Sequence, residues 1–288
     1  MSGGQRLPDF IIIGAMKSGT SSLYYWLSEQ PGSWGNRQKE PNFFGTDENW
    51  NRGVDWYSNI FSLAPPEKLV GESSPAYSHP NLAPMAAMRM AAVVPRVKLI
   101  YVLRHPVERL RSHYRHNIRR GREPRPLVEA IAEPGNEYVG RSLYHFCLRP
   151  YAGLFPREQI CVVRFEDMVS VGAPAWSTVL DHVGLPQRDR PAKAHNVTIE
   201  KPHYTALMYR LWESGHHKGL SRFPRPVRRI GKRLLVREGP EQVRRLRASE
   251  ARIPEHIVQP IWDDIERLEE WLGVGQPLWV RSNEPASS

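Results

Sequence analysis

An α/β domain with a central parallel sheet flanked by helices is the fold that these 288 residues predict, and three observations predict it. Apolar, β-branched runs of strand length alternate with helical stretches through the first two thirds of the chain. Those runs are continuously apolar rather than alternating, as strands covered on both faces must be. No internal repeat and no Gly/Ser-rich linker divides the sequence. One domain over 1–288 follows, with 9–200 as the core that carries the chemistry and 201–288 as a mostly helical C-terminal part.

The first run, Phe10 to Ile13, leads straight into Gly14-Ala-Met-Lys-Ser-Gly-Thr-Ser-Ser22. Ser21 to Leu27 then continues as a helix, with Leu23, Trp26 and Leu27 on one face. A strand running through a small-residue turn into a helix is an anion cradle: unpaired N–H groups and the positive dipole end meet where a phosphate can approach closely. A kinase-type phosphate loop reads G-x-x-x-x-G-K-[ST], with its metal-holding hydroxyl after the lysine. Here Lys17 comes before Ser18-Gly19-Thr20, so the order is inverted.

Lys39-Glu40 precedes Pro41, which places both in an extended segment or turn. Leu69 to Gly71 reads as a short strand near Val70, with Glu72 at its carboxyl end, where parallel α/β sheets carry reactive groups. Lys98 to Leu103 is a further strand. Arg104 follows at its end, Pro106 starts a helix, and Ser112 lies about two turns inside it, so Arg104 and Ser112 can face one anion. Ile160 to Arg164 completes the sheet. Ile257, Ile261, Ile265, Leu268 and Leu272 fall at helical spacing over Pro254 to Leu272, a helix that packs on the core with its acidic residues facing solvent.

Together, the Lys17-Ser18-Gly19-Thr20 loop, Lys39-Glu40-Pro41-Asn42-Phe43-Phe44, Gly71-Glu72-Ser73-Ser74-Pro75-Ala76-Tyr77, and Arg104 with Ser112 resemble landmarks of the sulfotransferase family. Tyr144, Phe155 to Ile160 and Arg164-Phe165-Glu166-Asp167-Met168 match more loosely. The sequence is most similar to the carbohydrate branch, the heparan-sulfate-type and related bacterial enzymes. The resemblance implies a P-loop-type nucleotide-binding fold and 3′-phosphoadenosine 5′-phosphosulfate (PAPS) as sulfate donor, with the 3′,5′-bisphosphate (PAP) as product and no metal required. It implies that Lys17, Ser18, Gly19, Thr20 and Ser21 grip the 5′-phosphate and that Arg104 and Ser112 hold the 3′-phosphate. Lys17 then stabilises the departing oxygen, Glu72 is the general base, and Lys39 lines the reacting centre. Lys201, His203 and Tyr204 fall where the family closes over the nucleotide and are expected as further donor contacts. The acceptor is expected to be a hydroxyl, in preference to an amine, of a sugar-containing molecule such as a glycolipid, a nucleoside natural product or an oligosaccharide.

Forty Lys and Arg against thirty Asp and Glu give a net charge of +10, which favours anionic partners. Eleven of those cations and three Glu lie between Arg222 and Arg252, with Val227, Ile230 and Leu234 at helical spacing. That pattern suits a solvated helix face, a wall of the acceptor cleft, or peripheral contact with an anionic lipid or membrane. Cys147 and Cys161 sit in apolar patterns as buried thiols and make no disulfide framework. Met1 to Pro8 is polar and the apolar run after it is too short to span a membrane, so a cytoplasmic protein is expected. His79 and His105 compete with Glu72 as base, and Trp50, Trp56 and Tyr57 compete between a sugar-stacking wall and the core. The alternative readings are a P-loop small-molecule kinase and a basic nucleic-acid-binding protein. Against the first stands the loop's inverted order. Against the second stands the lack of any nucleic-acid motif, so no nucleic-acid partner is expected.

Overall fold

The computed structural model describes residues 5–36, 38–192 and 251–282. Five parallel strands form its sheet: β1 (Phe10–Gly14), β2 (Ser33–Trp34), β3 (Leu69–Ser73), β4 (Lys98–Leu103) and β5 (Ile160–Arg164), in the order β2-β3-β1-β4-β5. The expected strands are all present. The added one, β2, is two residues long and carries no sequence pattern of its own; its pairing of Ser33 with Leu69 makes it a strand.

β1 is buried along its whole length because both faces are covered. Ile11 and Ile13 point into one core with Leu99, Tyr101 and Leu103, while Phe10 and Ile12 point into another with Ile100, Val102 and Val163. The strand's period of two therefore divides one apolar run between two layers. The second layer is built by α1 (Thr20–Ser28) and by α10 (Pro174–Val183). Leu23, Trp26 and Leu27 of α1 are buried there, as their spacing predicts. The first layer holds α4 (Ala83–Val93), α5 (Pro106–Arg119), α8 (Tyr144–Ala152) and a helix we number α11 (Glu255–Leu272). The short helices between these are α2 (Asp47–Trp50), α3 (Gly53–Asn59), α6 (Leu127–Ala132), α7 (Glu137–Gly140) and α9 (Phe165–Val169).

α11 corrects one expectation. Ile257, Ile261, Ile265 and Leu268 are buried as expected, but Asp264 is buried with them. Its carboxylate accepts the His145 N–H at 2.8 Å and the Phe146 N–H at 3.0 Å. Asp264 thus supplies acceptors for unpaired N–H groups at the start of α8, which has no cap from its own Leu143. Burial raises its pKa, and the two backbone hydrogen bonds oppose that rise. Cys147 and Cys161 are free, buried thiols, each pushed up to about 12 by desolvation.

Candidate active site

The sheet order sets three of the sequence-predicted residues, Glu72, Lys17 and Arg104, at the ends of adjacent strands. The chain leaves β1 for β2 and β3 on one side and for β4 and β5 on the other, which makes the carboxyl end of β1 the switch point at which parallel α/β sheets take their ligands. Glu72 stands near the end of β3, the Lys17 loop follows β1, and Arg104 follows β4. Strands lie about 4.8 Å apart, so the β3 and β4 ends are separated by roughly 10 Å with the lysine loop between them.

The loop is built for close approach. Lys17 has φ 73 and Gly19 has φ 81, and Gly19 caps α1. A non-glycine residue in that left-handed region costs about 1–2 kcal/mol, which the surrounding structure must offset. A Cβ on Gly19 would lie 2.4 Å from the Phe165 ring. Only glycine lets the loop rest on that ring. The Ser18 N–H is taken by the Ala15 carbonyl at 3.2 Å, so it leaves the set of N–H groups that the sequence offered to an anion. The Ser18 hydroxyl is fully buried and, among the described residues, its hydrogen-bonding capacity is left unmatched apart from a weak approach to the Tyr144 hydroxyl. Tyr144 lies near enough to be influenced by Ser18, but donates its proton to the Arg104 carbonyl at 2.8 Å. A buried hydroxyl left unmatched at a helix-opening turn fits an anion cradle. The positive field of Lys17 extends to α5: burial first, then Arg109, Arg141, His116 and Lys17, keep His113 neutral.

Lys39 joins this loop. Its ammonium donates to Ser21 Oγ at 2.8 Å and pairs with Glu40 at 2.5 Å. Its carbonyl accepts the Ser73 N–H at 3.0 Å, and the Asn42 N–H donates to Ser74 Oγ at 3.2 Å. The segment between is therefore tied both to α1 and to the end of β3.

Glu72 has no exposed surface. Tyr57 donates to its Oε1 at 2.5 Å and Ser74 to its Oε2 at 2.5 Å, while the Tyr77 hydroxyl lies 3.0 and 3.2 Å from the two oxygens. Burial pushes this carboxyl up to about 7, although the Ser74, Tyr57 and Tyr77 hydroxyls pull it down. Three hydroxyl protons occupy three of about four lone-pair sites on a carboxylate, so one acceptor site is left. Tyr57 sits on α3, and its ring stacks on Phe43 at 4.4 Å with the planes 8° apart. For Tyr57 this decides between a sugar-stacking wall and the core in favour of the core, while Trp50 and Trp56 are partly buried against it under Arg89 and Arg52. Phe43 and Phe44 are core as well. Sequence reasoning missed Tyr57 as a partner of Glu72, since nothing local to either residue links α3 to β3.

Arg104 places its guanidinium 5.8 Å from the centre of the Phe165 ring, the ring that also supports Gly19. Ser112 is buried on α5. The rival histidines are held in structural contacts: His79 accepts the Asn81 N–H on Nδ1 and pairs with Glu137 through Nε2, while the His105 ring packs against Trp262 and Trp279. Lys201, His203 and Tyr204, and the basic stretch from Arg222 as far as residue 250, lie outside the described residues. Among the described residues no His/Cys/Asp/Glu group suited to a metal ion is found, and no helix is long and apolar enough to cross a membrane.

Comparison with known proteins adds a second line. The chain is 39% identical over 116 residues to the membrane-associated sulfotransferase kil1 of Dictyostelium discoideum, which covers 39% of this chain and 23% of that one. It is 30% identical over 196 residues to human heparan sulfate glucosamine 3-O-sulfotransferase 5, covering 64% and 55%. With human bifunctional heparan sulfate N-deacetylase/N-sulfotransferase 3 it shares 32% identity over 194 residues, covering 62% and 22%. The chain thus spans from about a fifth to just over half the length of these relatives. Among solved structures, a sulfotransferase from Alicyclobacillus acidocaldarius superposes with a TM-score of 0.64 over 94% of this chain and 97% of that one, at 24% identity, which shows the shared fold. A family model for the sulfotransferase domain matches residues 7–203, and the chain belongs to that family.

Proposed function

We propose that this protein moves a sulfuryl group from PAPS to a hydroxyl of a sugar-containing acceptor. The observation that carries this reading is the placement of Glu72, the Lys17 loop and Arg104 on the carboxyl ends of three adjacent strands, β3, β1 and β4. The acceptor class rests on the similarity to a heparan sulfate glucosamine 3-O-sulfotransferase and to a heparan sulfate N-deacetylase/N-sulfotransferase, and the choice of a hydroxyl on the first of these. Two free, buried thiols fit a reducing compartment such as the cytoplasm.

When bound, the donor supplies the sulfuryl group on a good phosphate leaving group. The α1 N-terminus and the Ser18 hydroxyl hold its 5′-phosphate, with Thr20 and Ser21 beside them. Lys17 neutralises the negative charge that grows on the departing oxygen, a task that suits a compact ammonium. Arg104 pairs with the 3′-phosphate through its planar fork, and Ser112 adds a hydroxyl. Lys39, already on Ser21, supplies a second cation to the transferred group. Glu72 accepts the acceptor's proton at its remaining lone-pair site. Glu72 has no exposed surface, so reaching that site takes a local opening around it.

The reading is tested by mass spectrometry of PAPS and the enzyme with a panel of sugars, glycolipids, nucleoside glycosides and oligosaccharides. A gain of one SO₃ on an acceptor, with one PAP released per transfer, is expected. Hydrolysis of ATP or phosphorylation of the same panel, without SO₃ gain, would favour the kinase reading instead.

A further inference from the structure

The Arg104–His105 peptide group is held at both of its polar atoms. Tyr144 donates its hydroxyl to the Arg104 carbonyl at 2.8 Å, and the His105 N–H donates to Glu166 Oε1 at 2.8 Å. A peptide plane with both ends engaged cannot rotate without breaking one bond, so the direction in which Arg104 leaves the backbone is set.

Both clamps meet the same ring. Trp279 donates its indole N–H to Glu166 Oε2 at 3.4 Å, and its ring lies 6.2 Å from that of Tyr144. It also packs 6.4 Å from the His105 imidazole, whose Nε2 is 3.3 Å from the Val280 carbonyl. Trp279 is buried, and the segment carrying it is fastened in turn. The Leu278 N–H donates to Glu269 Oε1 at 2.6 Å, and its carbonyl accepts a hydrogen bond from the Arg164 guanidinium. Trp279 lies well past residue 203, where the family match ends.

We propose that Trp279, acting through Glu166 and Tyr144, is a positioning residue for Arg104, so that the segment from Leu278 to Val280 sets recognition of the donor's 3′-phosphate. The proposal rests on the reading of Arg104 as the 3′-phosphate ligand. A guanidinium on a flexible stem binds a doubly charged group best when its root is already aimed, because less freedom is lost on binding. Trp279 brings that pre-aiming from a part of the chain remote in sequence.

Calorimetry with PAP and with adenosine 5′-phosphate, on the full chain, tests this in Trp279→Phe, Glu166→Gln and Tyr144→Phe, alongside Arg104→Ala and thermal melts. Trp279→Phe keeps an aromatic ring but deletes the indole donor; Tyr144→Phe deletes only the hydroxyl. Each clamp variant is expected to weaken PAP by about tenfold, as loss of one hydrogen bond to a polar group does, and Trp279→Phe by about threefold or more, with adenosine 5′-phosphate changed less than about twofold. The KM for PAPS rises in step while kcat at saturating donor holds. Equal losses for both nucleotides, or an unchanged preference for PAP in Trp279→Phe, overturn the positioning role. Should Glu166→Gln or Tyr144→Phe fail to fold, Trp279→Phe decides the matter. If Arg104→Ala itself keeps the full preference for PAP, the assignment of Arg104 has failed and the inference falls with it.

Discussion

Glu72→Gln is expected to lower transfer to a hydroxyl acceptor by about 10²–10⁴-fold, the usual contribution of a general base, while donor affinity and the melting temperature stay close to wild type. Glutamine keeps the shape and its one carbonyl oxygen can still accept from either Tyr57 or Ser74, while the other hydroxyl must turn to accept from the amide NH₂; it cannot take a proton. His79→Asn and His105→Asn, measured in the same assay, should lose far less, because both rings serve packing and backbone contacts. The pH profile gives the sign independently. Burial pushes the Glu72 carboxyl up to about 7, and only its ionised form is a base. Activity therefore rises with pH through about 7 and levels above it. Tyr57→Phe removes one of the hydrogen bonds that lower this value, so the rising limb moves to higher pH while the Phe43 stack is kept. If a histidine variant is the inactive one and Glu72→Gln remains active, the base is a histidine and the acceptor argument drawn from Glu72 goes with it.

Lys17→Ala is expected to lower kcat by about 10²-fold or more, the loss seen when a donor to a developing oxyanion is removed, and to weaken donor binding much less. The reason is differential: the ammonium gains most of its interaction as charge accumulates on the leaving oxygen, so its removal falls on the transition state. Lys17→Arg is a useful companion, since a larger planar group at a left-handed backbone position does not reproduce a point charge. Steady-state kinetics with PAPS varied, together with PAP calorimetry, separates the two effects. Near wild-type turnover combined with weaker donor binding would make Lys17 a binding residue only.

How much of this was legible in the sequence follows from how local each signal is. β1, β4 and β5 were readable because a strand buried on both faces is largely apolar, β3 only through its Leu69–Gly71 start, since Glu72 and Ser73 extend the strand past that apolar pair, and α11 because its isoleucines keep helical register. The turn after β1 and the Arg104 corner were readable because their glycine, proline and charged residues lie beside a strand end. What escaped was set by contacts between distant residues. Asp264 looks like any acidic residue on an exposed helix face, yet it meets the start of α8 from 119 residues away. Tyr57 is one aromatic among several until α3 packs it on Phe43 and aims its hydroxyl at Glu72. β2 is a strand only because β3 lies beside it. Trp279 shows no motif at all; its role depends on three elements meeting around the Arg104–His105 peptide.

The most direct measurement of the account is a calorimetric comparison of PAP with adenosine 5′-phosphate on the unmodified chain, repeated with Arg104→Ala. One charge-assisted contact contributes on the order of 1.5–3 kcal/mol, so the account predicts that PAP binds roughly tenfold or more tightly, and that Arg104→Ala removes most of the difference. Equal affinity of the two nucleotides for the unmodified chain would contradict a site built for a 3′-phosphorylated donor.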